Sequence, residues 1–268
     1  MNYVRVMGGL GNQMFQYTFS KYVEQKTSSP CALDLNFFDY VKNVRGASVR
    51  DFELNKMDTK YISIVGDAGC SQVVNEDDID SCNISDRFLY FNGYWQNKKY
   101  FETVSDKVCR DFELKNSYVD DSMREILDRI EHTNSVSVHI RRCDYLTGQN
   151  VNIFSELDEE YYADALRAIK SISEECKVFI FSDDPTYAKK LAERLDMGDY
   201  FVMPVREAFR DLYLMSKCRH HVIANSSFSW WGAVLGQHRY PDGKVVAPAS
   251  WFKDRSGPDL YLDDWIVV

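Results

Sequence analysis

The sequence lacks the cysteine spacing of a disulfide framework and has no long apolar run. None of its seven cysteines belongs to a Cys-x-x-Cys pair. Because scattered cysteines in odd number do not form a framework in a chain of 268 residues, we expect reduced thiols. No stretch approaches the ~20 apolar residues of a membrane-spanning helix. A strand-like run begins already at Tyr3, so we expect no signal peptide and a cytoplasmic location, with contact at the inner membrane face left open.

Positive charge is also in deficit. The formal net charge is −9, whereas a general nucleic-acid binder needs a dominant basic surface. The hydrophobic fraction of 45% is enough for a folded core. We therefore expect a folded protein that does not bind nucleic acid.

Common catalytic and metal motifs are missing as well. There is no P-loop, no Gly-x-Ser-x-Gly elbow and no His-Glu-x-x-His helix. Asp78 and Asp80 fit the Asp-x-Asp motif of metal-dependent glycosyltransferases, but they lie in an acidic run typical of a surface loop. His220 and His221 have no partners at metal-ligand spacing. We expect no metal or other cofactor, and a metal site at Asp78 and Asp80 remains an alternative.

The hydrophobic pattern predicts alternating strands and helices. Near the start, a strand over 3–7, a glycine turn, a helix from about 12 to 26 and a short strand over 31–35 form a βαβ unit of a parallel sheet. The pattern over 41–82 is irregular and polar, and no element can be placed there from the sequence. After 134 the alternation becomes regular and indicates a doubly wound α/β domain. We predict an N-terminal domain over 1–133 and a C-terminal domain over 134–268.

Candidate binding residues follow the predicted strands, where open α/β sheets bind ligands. Gly8-Gly9-Leu10-Gly11 opens a helix, so its backbone N–H groups and the helix dipole favour an anion, although a tight turn alone also explains it. Asn12 and Gln13 at the exit of this loop carry amides suited to hydrogen bonds with a sugar.

The segment His139-Ile140-Arg141-Arg142 ends a predicted buried strand. Paired arginines there are costly unless they meet anions, and the planar guanidinium suits phosphate oxygens. Alternation places His139 and Arg141 on one face and Arg142 on the other. Structural salt bridges are the competing explanation.

Polar residues also follow a later strand. Asn225, Ser226 and Ser227 precede a helix and are able to cap it or to donate hydrogen bonds to a phosphate. Asp211 could accept hydrogen bonds from a guanine edge, although an acidic residue on a helix is more often solvated.

Taken together, these motifs resemble the α-1,2-fucosyltransferases of glycosyltransferase family 11, especially the short bacterial members. The resemblance covers nearly the whole chain. Its segments are GGLGNQMFQY (8–17), FNGYWQNKKYF (91–101), SVHIRRCDYL (137–146), YYADALRAI (161–169), FIFSDDP (179–185), DLYLMSKCRHHVIANSSFSWWGAVL (211–235) and VVAPASWF (245–252).

The resemblance implies a GT-B fold, in which two Rossmann-like domains face each other across a cleft and the C-terminal domain holds GDP-fucose. Arg141 would bind the β-phosphate, and His139 and Asp211 would seat the guanine. The remaining implied donor contacts are Ser226, Ser227 and Phe228 at the diphosphate with Asn225 beside them, Asp183 on the nucleotide side, and Gly9, Gly11, Asn12 and Gln13 at the fucose.

The implied activity is inverting transfer of fucose to the 2-hydroxyl of a galactose-terminated glycan, as in surface polysaccharide synthesis, without a metal. Asp144 is the carboxylate nearest the arginines and the candidate catalytic base. The family commonly has Gly where this chain has Cys143, a difference that we expect function to survive. The alternatives are the metal-dependent glycosyltransferase and a non-catalytic protein that binds a nucleotide sugar or glycan.

Overall fold

The fold is taken from a computed structural model of the 268-residue chain. The structure describes residues 1–44, 50–70, 72–85, 88–142, 153–171, 175–253, 257 and 259–268. These residues group into two compact units, Met1–Lys115 and Asn116–Val268.

The first unit alternates strands and helices. Its elements are β1 (Asn2–Arg5), α1 (Leu10–Thr27), β2 (Cys31–Asp34), α2 (Asn36–Lys42), β3 (Ile62–Ile64), β4 (Gln72–Asn75), β5 (Leu89–Asn92) and α3 (Lys98–Asp111). The five strands are all parallel, in the order β3-β2-β1-β5-β4. Because β1 and β5 are neighbours, the loops that follow them leave the same edge of the sheet.

An aromatic cluster fills the core between this sheet, α1 and α3. The Phe19 ring stacks on Trp95 with centroids 3.9 Å apart and meets the edges of Phe91 and Tyr100. All four side chains are buried. Their burial fixes the loop after β5 against α1.

The second unit repeats the alternation more regularly. Its elements are α4 (Asp121–Glu131), β6 (Ser135–Ile140), α5 (Glu159–Lys170), β7 (Lys177–Ser182), α6 (Pro185–Arg194), β8 (Tyr200–Val202), α7 (Ala208–Met215), β9 (His220–Val222), α8 (Ser227–Arg239), β10 (Val245–Ala247) and β11 (Ile266–Val267). Six parallel strands form its sheet in the order β11-β10-β9-β6-β7-β8.

Strand β6 lies inside this sheet and is buried at every residue. Val136, Val138 and Ile140 pack into the apolar cluster beneath α5 and α6. Alternation turns Ser137 and His139 to the other face, where the Ser137 hydroxyl contacts His221 and the His139 ring contacts Phe228 of α8. The face of β6 that carries His139 is therefore the α8 face.

Most predicted elements are confirmed, with bounds shifted by a few residues. Over 41–82, where the sequence allowed no element to be placed, α2 ends at Lys42 and strands β3 and β4 are formed. Our predicted junction at 133/134 assigned α4 to the first domain. In the structure α4 packs against α7 and belongs to the second unit.

None of the helices in the described part of the chain combines the length and apolarity needed to cross a membrane. The six cysteines within the described ranges are free thiols: Cys31, Cys70, Cys82, Cys109, Cys176 and Cys218.

Candidate functional site

His139 lies one residue before the end of β6, and its side chain is 4% exposed. Its ring centroid is 5.5 Å from that of Phe228. Nδ1 is buried and has no hydrogen-bond partner among the described residues. Burial, helped by the nearby positive charge of Arg141, lowers the pKa of His139 to about 3, so the ring is neutral at physiological pH.

The two arginines after β6 meet the two aspartates after the neighbouring strand β7. Arg141 Nε lies 3.4 Å from Asp183 Oδ2, and Arg142 Nε lies 3.9 Å from Asp184 Oδ2. Asp183 Oδ1 also accepts a hydrogen bond from the Arg142 backbone N–H at 3.0 Å. Asp183 therefore contacts both arginines, the side chain of Arg141 and the backbone of Arg142.

The two guanidinium groups have different surroundings. The Arg142 guanidinium lies over the Tyr187 ring, with Cζ 3.7 Å from the ring centroid, a close cation–π contact that we did not predict. The Arg141 side chain is about a quarter exposed, with a relative accessibility of 26%. The Arg142 side chain is similarly exposed, at 28%, but its guanidinium packs against Tyr187 of α6, whereas that of Arg141 pairs with Asp183.

The N-terminus of α8 has no side-chain cap. Asn97, Asp120, Asp158 and Asp184 cap α3, α4, α5 and α6 through side-chain oxygens. Ser226 occupies the N-cap position of α8 but makes no such bond. As at α1, α2 and α7, the N-cap side chain of α8 therefore makes no capping bond in the described part of the chain, and a helix N-terminus of this kind favours an anion.

Asn225 is used differently from the prediction that grouped it with the donor contacts. Its side chain is 1% exposed, and Nδ2 donates to the carbonyl oxygens of Ser155 and Trp251 at 2.8 and 2.9 Å. These bonds tie two loops to the end of β9. In the described residues, the Asn225 amide thus stabilises the local fold.

Asp211 lies on the first turn of α7. Its Oδ1 is buried and has no hydrogen-bond partner within the described ranges. Burial raises the pKa of Asp211 to about 7, although the nearby charge of Arg206 acts in the opposite direction. An unpartnered carboxylate oxygen of this kind suits a ligand that brings N–H donors.

In the first unit, the predicted glycine loop follows β1 and precedes α1. Gly8 has a φ of +79°, and a Cβ there would lie 2.7 Å from Asn12 Nδ2. Gly9 is the N-cap residue of α1 and provides no side-chain cap. Asn12 Oδ1 accepts a hydrogen bond from Gln96 at 2.8 Å, and Gly11 is buried in the first turn.

Gln13 is fully buried rather than presented at the surface. Its Nε2 donates to the Gly8 and Asp51 carbonyl oxygens, and its Oε1 accepts from the Glu53 N–H. The amide thus fixes the turn from within. The contact of Gln13 with fucose stays a prediction. It is not favoured here, because both polar atoms of the side chain are already bonded to backbone groups.

The candidate metal residues do not come together. Asp78 and Asp80 are exposed on a 3-10 helix, and Asp80 pairs with Lys99 at 3.7 Å. His220 bonds to Asn134 and to the Lys244 N–H. Within the described ranges, no three His, Cys, Asp or Glu side chains form a group that could hold a metal ion. Metal independence stays a prediction.

Asp144, the candidate base, and Cys143, which stands where the family commonly has Gly, lie outside the described residues. Their assignments rest on the sequence.

Solved structures resemble this fold at low sequence identity. The α-1,6-fucosyltransferase NodZ, co-crystallised with GDP, matches with a TM-score of 0.53 at 15% identity, covering 86% of this chain and 91% of that one; NodZ comes from Bradyrhizobium. POFUT1 in complex with GDP matches with a TM-score of 0.51 at 11% identity, covering 92% and 98%. The two parallel sheets and these neighbours define a GT-B type glycosyltransferase fold.

The sequence comparison is more specific. The sequence model of the family described as "Glycosyl transferase family 11" matches residues 1–268. An alpha-1,2-colitosyltransferase of Escherichia coli is 34% identical, with 98% of this chain and 97% of that protein covered. The O-antigen biosynthesis glycosyltransferase WbnK, also of Escherichia coli, is 28% identical, with 98% and 99% covered. The chain belongs to glycosyltransferase family 11.

Proposed function

We propose that this glycosyltransferase moves fucose from GDP-fucose to the 2-hydroxyl of a terminal galactoside, with inversion at the anomeric carbon. The family and the alpha-1,2-linkage named for its colitosyltransferase relative support the reaction class. The GDP complexes of its structural neighbours agree with a GDP-linked donor.

One observation carries the guanine part of the proposal. Nδ1 of His139 and Oδ1 of Asp211 are buried polar atoms without hydrogen-bond partners among the described residues. Buried polar atoms in native proteins nearly always have partners, and a bound guanine would supply partners to both of these. A guanine offers N–H donors to the carboxylate and acceptors to a ring N–H.

Arg141 has the chemistry needed at the diphosphate. As the bond from fucose C1 to the GDP oxygen breaks, negative charge grows on the β-phosphate. Two groups would stabilise that charge without a metal: the Arg141 guanidinium, which Asp183 holds in place, and the N-terminus of α8, which has no N-cap side-chain bond. Asp144 remains the proposed base that accepts the proton of the acceptor hydroxyl.

A second donor is favoured by one specific observation, the 34% identity to a colitosyltransferase. Colitose is fucose without its 3-hydroxyl, so the two donors share GDP and differ at one carbon. The described residues include none that we assign to the 3-position. GDP-colitose is therefore the rival donor.

The test is a transfer assay with GDP-fucose and GDP-colitose against a panel of β-galactosides, with NMR assignment of the linkage formed. We expect an alpha-1,2-linked product in the presence of excess EDTA. A requirement for added metal would favour a site at Asp78 and Asp80. GDP binding without transfer to any panel member would favour a non-catalytic binding protein.

The same assay tests Arg141. Arg141→Ala should lower turnover roughly 10²–10³-fold, the usual loss when one transition-state donor is removed. Arg141→Lys should also lose most activity, because an ammonium does not reproduce the fork. The control is Arg167→Ala, which removes an exposed arginine of α5 that pairs with Asp164. Near-normal turnover in either Arg141 variant would contradict the assignment.

A further inference from the structure

The loop after β5, residues 92–97, has no part in the function proposed above. It lies within 91–101, one of the segments that resemble the family. It leaves the same sheet edge as the glycine loop, because β5 pairs with β1. Two hydrogen bonds join it to α1: Gln96 Nε2 donates to Asn12 Oδ1 at 2.8 Å, and Gln16 Nε2 donates to the Gly93 carbonyl at 3.1 Å.

Side-chain hydrogen bonds hold the backbone of the 92–97 loop. The Glu76 carboxylate accepts hydrogen bonds from the backbone N–H groups of Tyr94 and Gln96, at 2.8 and 3.2 Å. A Cβ at Gly93 would lie 2.7 Å from Glu76 Cβ, so only glycine lets the loop approach this residue. These contacts fix the direction in which Tyr94 leaves the backbone.

The loop also stores backbone strain. Trp95 has a φ of +58°, a left-handed conformation that bulky residues rarely adopt. Its indole is fully buried on Phe19, and its Nε1 has no hydrogen-bond partner among the described residues. Strain of this kind persists where the surroundings over-determine it, and it concentrates at functional sites such as ligand clamps.

Tyr94 is the residue that this rigid loop displays. Its side chain is 44% exposed between the buried residues Gly93 and Trp95. No hydrogen bond of its phenol and no ring contact is found within the described ranges. Tyrosine offers a flat apolar face with a polar edge at low entropy cost, which suits the C–H face and hydroxyls of a sugar.

Hydrogen-bonding groups also lie at the sheet edge from which this loop leaves. Asn92, two residues before Tyr94, accepts from Arg5 Nη1 at 3.2 Å and donates to Asn75 Oδ1 at 3.0 Å. The three side chains end the adjacent strands β1, β5 and β4. This row provides amide and guanidinium groups of the kind that bind sugar hydroxyls.

We propose that Tyr94 is a packing platform for a sugar ring of the acceptor glycan, with the row Arg5, Asn92 and Asn75 facing hydroxyls of the same glycan. The inference rests on the proposed function, because it assigns the acceptor side of that reaction. It assigns a class of ligand, a sugar ring, to the 92–97 loop, which has no part in the proposed donor site.

The kinetic test compares Tyr94→Ala, Tyr94→Phe and the control Phe88→Ala. Phe88 lies at the other end of β5 and is 50% exposed, so Phe88→Ala controls for the loss of an exposed aromatic ring elsewhere in the same unit. We expect Tyr94→Ala to raise the acceptor KM about tenfold, equivalent to about 1.4 kcal/mol of lost binding. The donor KM should not change. Tyr94→Phe keeps the ring face and should stay within about threefold of wild type.

A binding measurement separates this inference from the proposed function. Saturation-transfer NMR on the GDP-loaded full chain, with lactose and methyl β-galactoside as probes, requires no turnover. Signal transfer that Tyr94→Ala loses and Phe88→Ala retains supports the platform, even if no donor is turned over. The inference is overturned if Tyr94→Ala keeps the wild-type NMR saturation signal or the wild-type acceptor KM. It is also overturned if the wild type gives no saturation signal with either probe. Failure of the wild type to transfer either donor sugar rejects the proposed function instead.

Discussion

Replacing Asp211 by Asn should change the pH dependence of stability in a way that follows from its burial. In the folded chain the pKa of Asp211 is raised from 3.8 to about 7, mainly because the carboxyl is buried. The unfolded chain loses this proton near pH 4, whereas the folded chain keeps it until about pH 7. Stability therefore decreases as pH rises through this window and stays constant above it.

The full rise in pKa corresponds to about 4 kcal/mol of destabilisation at high pH. Between pH 5 and pH 8 the free energy of unfolding of the wild type should fall by about 3 kcal/mol through this group. Asp211→Asn has no proton to lose, so that part of the pH dependence should disappear. Urea denaturation gives the free energy of unfolding of wild type and Asp211→Asn at pH 5 and at pH 8. The quantity compared is how much the difference between the two chains changes from one pH to the other. The control is Asp164→Asn, a carboxylate at the surface of α5.

Binding of GDP gives the second measurement of the same group. If guanine N–H donors meet the Asp211 carboxylate, they favour its charged form, so GDP binding near pH 6 releases a proton. Calorimetry in two buffers of different ionisation enthalpy measures that proton, which Asp211→Asn should not release. A stability difference between wild type and Asp211→Asn that is equal at pH 5 and pH 8 would refute the reasoning.

Three other changes have expected outcomes. Asp183→Asn removes the negative charge paired with Arg141, so turnover should fall about tenfold, as for a lost charge-assisted contact. Asn225→Ala leaves two carbonyls without their donor and should lower the urea unfolding free energy by about 2–4 kcal/mol. Gly8→Ala forces a left-handed residue against Asn12 and should cost at least roughly 1–2 kcal/mol in the same assay.

Each of these has a clear contrary result. Wild-type turnover in Asp183→Asn would show that Arg141 does not depend on this pairing. An Asn225→Ala chain as stable as wild type would mean that the two loops find other donors. A Gly8→Ala chain of unchanged stability would show that the turn relaxes to negative φ without cost.

The sequence predicted the regular part of the fold well because local periodicity and burial agree there. Strand β6 and helix α5 carry apolar residues at the expected spacings, and both lie where the pattern placed them. No element could be placed over 41–82 because β3 and β4 are short edge strands that are mostly exposed. Strands of this kind need no continuous apolar pattern, since the neighbouring strand supplies their hydrogen bonds.

For the candidate site, the sequence pointed to positions at strand ends but not to the contacts that each side chain makes. The paired arginines were singled out by charge and position, whereas His139 and Asp211 were assigned to the guanine through the family resemblance. Gln13 and Asn225 were assigned to the ligand because an amide near a glycine turn or helix start can serve either purpose. Their buried hydrogen bonds to backbone groups distant in sequence became visible only in the structure.

The sequence alone determined the α/β class and the family, and it predicted an anion site at His139-Ile140-Arg141-Arg142, because these depend on local order and residue type. Tertiary structure decided which partner each group meets: Asp183 for Arg141, the Tyr187 ring for Arg142, and buried surroundings for Asp211. It also placed Tyr94 at the surface of a strained loop. Such contacts join residues far apart along the chain, so no local pattern encodes them.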